Sequence, residues 1–296
     1  MLKTFGKRLK LNVYTFLIAF LSLYLSVQSV YAATTLVNSL SALTEGDYAW
    51  IGAKLYQNEA ASNPKYLTHW GQGEDFPSFG IAHFIWFPAI SPPPYQETFP
   101  EMFEFVSKKS SPPLWLQKLW QQSISTPNLE FDAPWQNKAQ FDARQSTPEL
   151  QSLRQWLLNT QAHQARFVGL AFQQRWVDES ESLATERLNT LTERLAQMMA
   201  FKQGLFSVID YFNFKGLGNN SKEQYQGKSW GLISVLEGMP EAVFDVANAS
   251  NAMRLAAFIQ SAKTQLQQRV NLAPSERNEA RWIKGWFKRL EGYAVP

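Results

Sequence analysis

Apolar positions recur along most of this chain at helical spacing, with one short stretch where strand chemistry takes over. The first helix is expected over residues 44–59, where Thr44 serves as N-cap and Asp47 holds the capping-box position. Residues 60–76 are polar and turn-rich and read as a loop. The run Phe76–Phe87 (FPSFGIAHFIWF) is aromatic and β-branched and predicts a strand or a tight hairpin, ended by Pro88 and the Ser91-Pro-Pro-Pro94 run. Helical spacing returns at Pro100, suited to a first helical turn, and at Pro113. Residues 124–146 are irregular. Long helices are predicted over 148–176 and 182–202, the latter with Leu183, Leu188, Leu191 and Leu195 on one stripe. Shorter ones are predicted over 204–213, 228–238, 240–247, 250–270 and 275–292. No repeat is present. The expected class is mainly α with a small β-hairpin element.

The first 32 residues stand apart. Lys3, Lys7, Arg8 and Lys10 precede an apolar run from Val13 to Val27, and Val30-Tyr31-Ala32 supplies small residues for cleavage after Ala32. This is the pattern of a secretory signal peptide, and the run is short for a bilayer span of about 20 residues. The expected location is therefore periplasmic or secreted, with an uncleaved anchor as the alternative and membrane contact only through that leader. Residues 33–296 are then expected to form a single, mostly helical domain.

Composition changes the picture in two ways. Loss of four basic residues from 28, against 25 acids, leaves the mature chain near neutral, so no nucleic-acid partner is expected. With no cysteine, thiol catalysis and thiolate metal sites are excluded, and stability must come from packing. Eleven Trp, ten Tyr and 21 Phe provide core area and rings able to stack on sugars.

Glu59 is the first candidate for chemistry. At 100° per residue it lies within about 20–80° of Tyr48, Ile51 and Leu55, on the apolar stripe in the last helical turn. Partial burial and the negative end of a helix both disfavour a carboxylate's charge, and a general acid needs a proton to give. The alternative is a helix-terminal glutamate turned into water. Strict alternation along 76–87 would put Ser78, Gly80, Ala82, Phe84 and Trp86 on a ligand-facing trough, with Phe79, Ile81, His83 and Ile85 on a core face; glycine in a strand often marks close approach by a ligand.

A helix ending in Glu59, a polar turn, and Ser78-Phe79-Gly80-Ile81-Ala82-His83 together resemble the phage-type lysozymes of the lysozyme-like glycoside hydrolase superfamily. Those proteins carry a catalytic Glu at a helix end and a Thr-x-Gly-x-Gly-His strand. The resemblance implies a lysozyme-like α+β core with additional helices and no cofactor. It implies Glu59 as general acid, Ser78 in place of the Thr that positions water or steadies the intermediate, and His83 in a structural role. Ala82 departs from the second Gly, the spacing from Glu59 to His83 is longer than usual, and the nearest second carboxylates, Glu74 and Asp75, lie closer to the strand than expected. The resemblance covers about thirty residues.

Other clusters carry less. His69, Glu74 and His83 match no metal-ligand spacing, so no metal is expected. No G-x-S-x-G or comparable marker supports a Ser-His-Asp triad. Residues 210–231 form a connection long enough for binding, with Asn213, Lys215, Glu223, Tyr225 and Trp230 suited to hydroxyls, acetamido groups and sugar faces; an ornate turn packed on the core is the alternative. Trp282 and Trp286 share a face of a basic C-terminal helix, read as a charged surface over a Trp-rich core. The expected function is an exported glycosidase, a lysozyme-like muramidase or lytic transglycosylase. Its glycan partner would be peptidoglycan, with Trp70, Gly80, Trp86, Asn213, Lys215, Tyr225 and Trp230 contacting it. The alternative is a non-catalytic envelope glycan-binding or interaction protein on the same frame.

Overall fold

The computed structural model describes residues 34–89, 97–180, 182–219 and 224–295. The expected leader lies outside them, as does Glu223. The fold is mainly helical, with two small antiparallel sheets. Among the described residues no helix is long and apolar enough to cross a membrane. The described residues gather into two compact units: an inserted unit within Leu43–Leu170, and a flanking unit made of residues 34–42 together with those from 171 to 295.

The inserted unit opens with helix α1, Glu45–Ala60, and its capping box forms as expected: the Thr44 hydroxyl accepts from the Asp47 amide at 3.2 Å, and the Asp47 carboxylate accepts from the Thr44 amide at 2.9 Å. Ala61 ends the helix in a left-handed conformation, φ 48°. A three-stranded sheet follows, ordered β1 (Thr68–His69), β2 (Ser78–Phe79), β3 (Phe84–Ile85), with Thr68 opposite Phe79 and Phe79 opposite Phe84. The tight hairpin is therefore real, but strict alternation through it is not. The turn Gly80–His83 interrupts the pleat, so Phe79 and Phe84 become cross-strand partners on one face, where alternation had separated them. Both are buried.

Helices α2 (Phe99–Ser107), α3 (Leu114–Ser125), α4 (Lys138–Asp142) and α5 (Pro148–Asn159) complete this unit with the first half of α6 (Gln161–Ser180). The long helix expected over 148–176 is two helices. Thr160 lies between them, and its buried hydroxyl donates to the Trp156 carbonyl at 2.7 Å, a local bond that competes with the helical ladder. The core is aromatic: Trp86 stacks on Phe99 with ring centres 4.5 Å apart, meets Phe79 edge-on, and donates its indole N–H to the Phe131 carbonyl at 2.7 Å.

Gly80 ties the hairpin to this core. Its φ is +74°, and a Cβ there would collide with the Gln164 side-chain oxygen. Gly80→Ala is expected to cost about 2–4 kcal/mol, adding left-handed strain to a disturbed buried hydrogen bond. Denaturant unfolding measures this, and an unchanged midpoint would refute it.

In the flanking unit, α7 (Thr185–Met199), α8 (Lys202–Lys215), α9 (Leu232–Glu237), α10 (Asn251–Leu272) and α11 (Ile283–Glu291) pack as a helical cluster beside the hairpin β4 (Gln224–Tyr225) and β5 (Lys228–Ser229). The helix expected over 228–238 thus begins as a strand. Its turn residues Gln226 and Gly227 both have positive φ, 51° and 74°, the pattern of a type I′ hairpin loop. The helix expected over 275–292 is shorter, because Asn278 at φ 44° separates two 3-10 turns ahead of α11.

Candidate functional site

Glu59 occupies the last turn of α1, beside the buried stripe Tyr48, Ile51, Leu55 and Tyr56. Its side chain is 23% exposed, and one carboxylate oxygen lies 3.9 Å from His83 Nδ1, whose ring is 40% exposed. His83 therefore faces the glutamate from the end of the hairpin turn instead of packing on the core face that alternation implies. It does so in a left-handed conformation, φ 50°, which histidine adopts more readily than most residues.

Two hydrogen bonds hold the turn in place. The Gly80 amide donates to the Leu67 carbonyl at 2.9 Å, and the Ile81 amide donates to Gln164 Oε1 at 3.0 Å. Gln164, fully buried, returns its own N–H groups to the Leu157 carbonyl at 2.7 Å and the Thr160 hydroxyl at 3.0 Å. Gly52 of α1 meets the Gln161 carbonyl so closely that a Cβ would lie 2.7 Å from it. The start of α6 thus braces both the helix that carries Glu59 and the turn that carries His83. Gln164 was not among the sequence candidates; a single mid-helix glutamine carries no pattern that would single it out.

The other candidates of this unit fall in different places. Glu74 is exposed and accepts from the Gly71 amide at 3.0 Å, while Trp70, 3% exposed, donates its indole N–H to the Glu74 carbonyl at 2.7 Å. This stitches the 70–75 loop to itself. Asp75 is exposed and Ser78 buried. Trp70 and Trp86 are core residues and offer no free ring face, a correction to the stacking roles expected of them; their size and apolarity are worth more in the core than at a surface. Gly80 serves the turn.

A second carboxyl group was not foreseen. Glu97 accepts from the Phe87 amide at 2.5 Å, and burial, aided by the nearby Asp132 and Glu130 carboxylates, pushes its carboxyl from 4.5 up to about 7. Such a group favours the folded state below pH 4.5, and that contribution is lost as pH rises through 7. Glu97→Gln keeps an acceptor for Phe87 and cannot ionise. It is expected to stabilise the chain by about 1–2 kcal/mol at pH 8, discounted for partial exposure, and not at pH 4. Equal effects at both pH values would refute this.

In the flanking unit, Asn213 is exposed and Trp230 is buried, another correction to a stacking role. Trp230 packs on Tyr225 at 4.7 Å and beneath the Arg269 guanidinium at 4.2 Å. Lys215 Nζ lies 3.8 Å from the ring centres of both Phe214 and Trp286; burial, with Arg269 nearby, holds its amine down to about 7. Glu279, buried, accepts from Tyr225 OH and from Arg269 through both oxygens. Asp210, with no exposed surface, accepts two hydrogen bonds from Arg289 at 2.7 Å each and one from Tyr293 OH at 2.6 Å. Among the described residues of 210–231, Phe214, Lys215, Tyr225 and Trp230 thus pack around these ion pairs. Among the described residues no cluster of three or more His, Asp or Glu side chains is arranged to hold a metal ion.

The fold and geometry define a mainly helical protein of two compact units with a glutamate–histidine pair at a hairpin turn. No protein-family model, curated protein or solved structure matches the chain.

Proposed function

We propose that this chain is an exported glycoside hydrolase acting on an amino-sugar polymer, peptidoglycan foremost, with Glu59 as general acid. The observation that carries the reading is the partly exposed Glu59 carboxyl at a helix end, 3.9 Å from His83 on a braced hairpin turn. Glu59 would protonate the glycosidic oxygen as its bond to the anomeric carbon breaks, leaving an oxocarbenium-like sugar for water or an internal hydroxyl to capture. His83 would orient the carboxyl. Glu74 or Asp75 on the adjoining loop would supply the second carboxylate. The wider lysozyme-like frame belongs to the same proposal, as do cleavage after Ala32 and action outside the cytoplasm.

A non-catalytic glycan-binding role is favoured by one observation: Glu74 is engaged with the Gly71 amide and Ser78 is buried, so neither stands ready beside Glu59. Incubating the purified chain with isolated peptidoglycan and following soluble fragments by mass spectrometry decides between them. Muropeptides released in proportion to enzyme and time support the glycosidase. Binding to the polymer without release would leave only the second reading.

A further inference from the structure

The flanking unit contains a cavity of about 520 Å³ beside the β4–β5 hairpin, between α9 and α10. Its volume lies within the roughly 300–1,000 Å³ range of small-molecule sites. We propose that it binds an uncharged oligosaccharide segment, separately from Glu59.

The lining chemistry carries this. Gln224 of β4 and Gln265 and Gln268 of α10 border the cavity, each half-buried, and none of the three side-chain amides is hydrogen-bonded among the described residues. An amide offers one acceptor oxygen and two N–H donors, so each of the three can take a ligand hydroxyl in either sense. Asn219, Ser229 and Ser234 add an amide and two hydroxyls around the same space. The uncharged polar groups of this lining can each donate and accept, which matches sugar hydroxyls that do the same. Leu183, half-buried, gives an apolar patch for the sugar's C–H face.

The charge pattern excludes the main competitors. Arg187 is spent on Glu237 through two hydrogen bonds, at 2.6 and 3.2 Å, so Lys228 is the one lining cation without a carboxylate partner among the described residues. A phosphorylated or polyanionic ligand calls for clustered cations, and a nucleotide for an aromatic wall, and the lining has neither. Backbone leaves room as well: a Cβ on Gly238 would lie 2.5 Å from Ser261 Oγ and 3.1 Å from Gln265 Nε2, so glycine lets Gln265 border the cavity without a shift.

That the saccharide is a stretch of the polymer proposed as substrate rests on the preceding reading; that the cavity takes a saccharide does not. The test is calorimetric titration of the full chain carrying Glu59→Gln with tetra-N-acetylchitotetraose and cellotetraose, beside a version also carrying Gln265→Ala and Gln268→Ala. Alanine suits the α10 helix, so the double change leaves the fold intact, checked by melting temperature. Saturable binding of at least one tetrasaccharide, weakened about tenfold or more by the double change, is expected. Binding of neither, binding indifferent to the double change, or binding of tetra-alanine in preference to both sugars would overturn the proposal. Because these titrations need no turnover, failure of Glu59 as an acid leaves their outcome unaffected.

Discussion

Glu59→Gln is expected to slow release of muropeptides by about 10²–10⁴-fold, the range contributed by a positioned general acid. The amide has nearly the same volume as the carboxyl but has no acidic proton to give. The partly exposed position, with His83 3.9 Å away, means that folding gains little from the charge, so the melting temperature should stay within about 2 °C of wild type. The loss should fall on the turnover number and leave substrate affinity nearly unchanged, because the proton is transferred only as the bond breaks. Release unchanged by the substitution would remove Glu59 from the mechanism. A loss accompanied by a large fall in melting temperature would assign it a structural role instead.

Asp210→Ala should cause the largest loss of stability in the flanking unit. The carboxylate has no exposed surface and takes three hydrogen bonds, two from Arg289 and one from Tyr293. Its negative charge, after burial, helps hold the Tyr293 hydroxyl well above its ordinary range. Removing the carboxylate leaves a largely buried guanidinium and a buried phenol without their acceptor. Breaking a buried pair from one side costs about 3–5 kcal/mol. For a unit of this size that lowers the melting temperature by about 6–20 °C. Asp210→Asn, which keeps an acceptor oxygen for Tyr293, should lose less. Calorimetry of both variants checks the order, and a fall below 2 °C in Asp210→Ala would contradict it.

Local signals made part of this molecule legible in advance. Thr44 and Asp47 cap α1 because a threonine three residues before an aspartate satisfies the same orphan amides in any context. Pro100 and Pro148 sit in first turns, where a missing N–H is harmless. The Ser78–His83 run announced a hairpin through its glycine and its aromatics. What stayed hidden depends on partners distant along the chain. Strand β1 is two residues long, too short for any periodicity, and exists because β2 pairs with it. The faces of the hairpin could not be assigned without knowing where Gly80 turns. Gln226-Gly227 is a weaker turn signal than Asn-Gly, and it sits between polar strands with no apolar alternation. The brace supplied by Gln164 spans 83 residues of sequence to reach Ile81, and nothing local foretells it. Trp70, Trp86 and Trp230 show the general difficulty: an indole's chemistry suits a sugar face and a protein interior equally, and only burial separates the two.

The embrace of Asp210 by Arg289 and Tyr293 sets an order of events for a chain made from one end. As α8 leaves the ribosome, its central carboxylate has no counter-charge until some eighty further residues have been added. During that interval, full docking of α8 would strand an ion in an apolar interior. The flanking unit can therefore close its core around Asp210 only after residue 293 has been made.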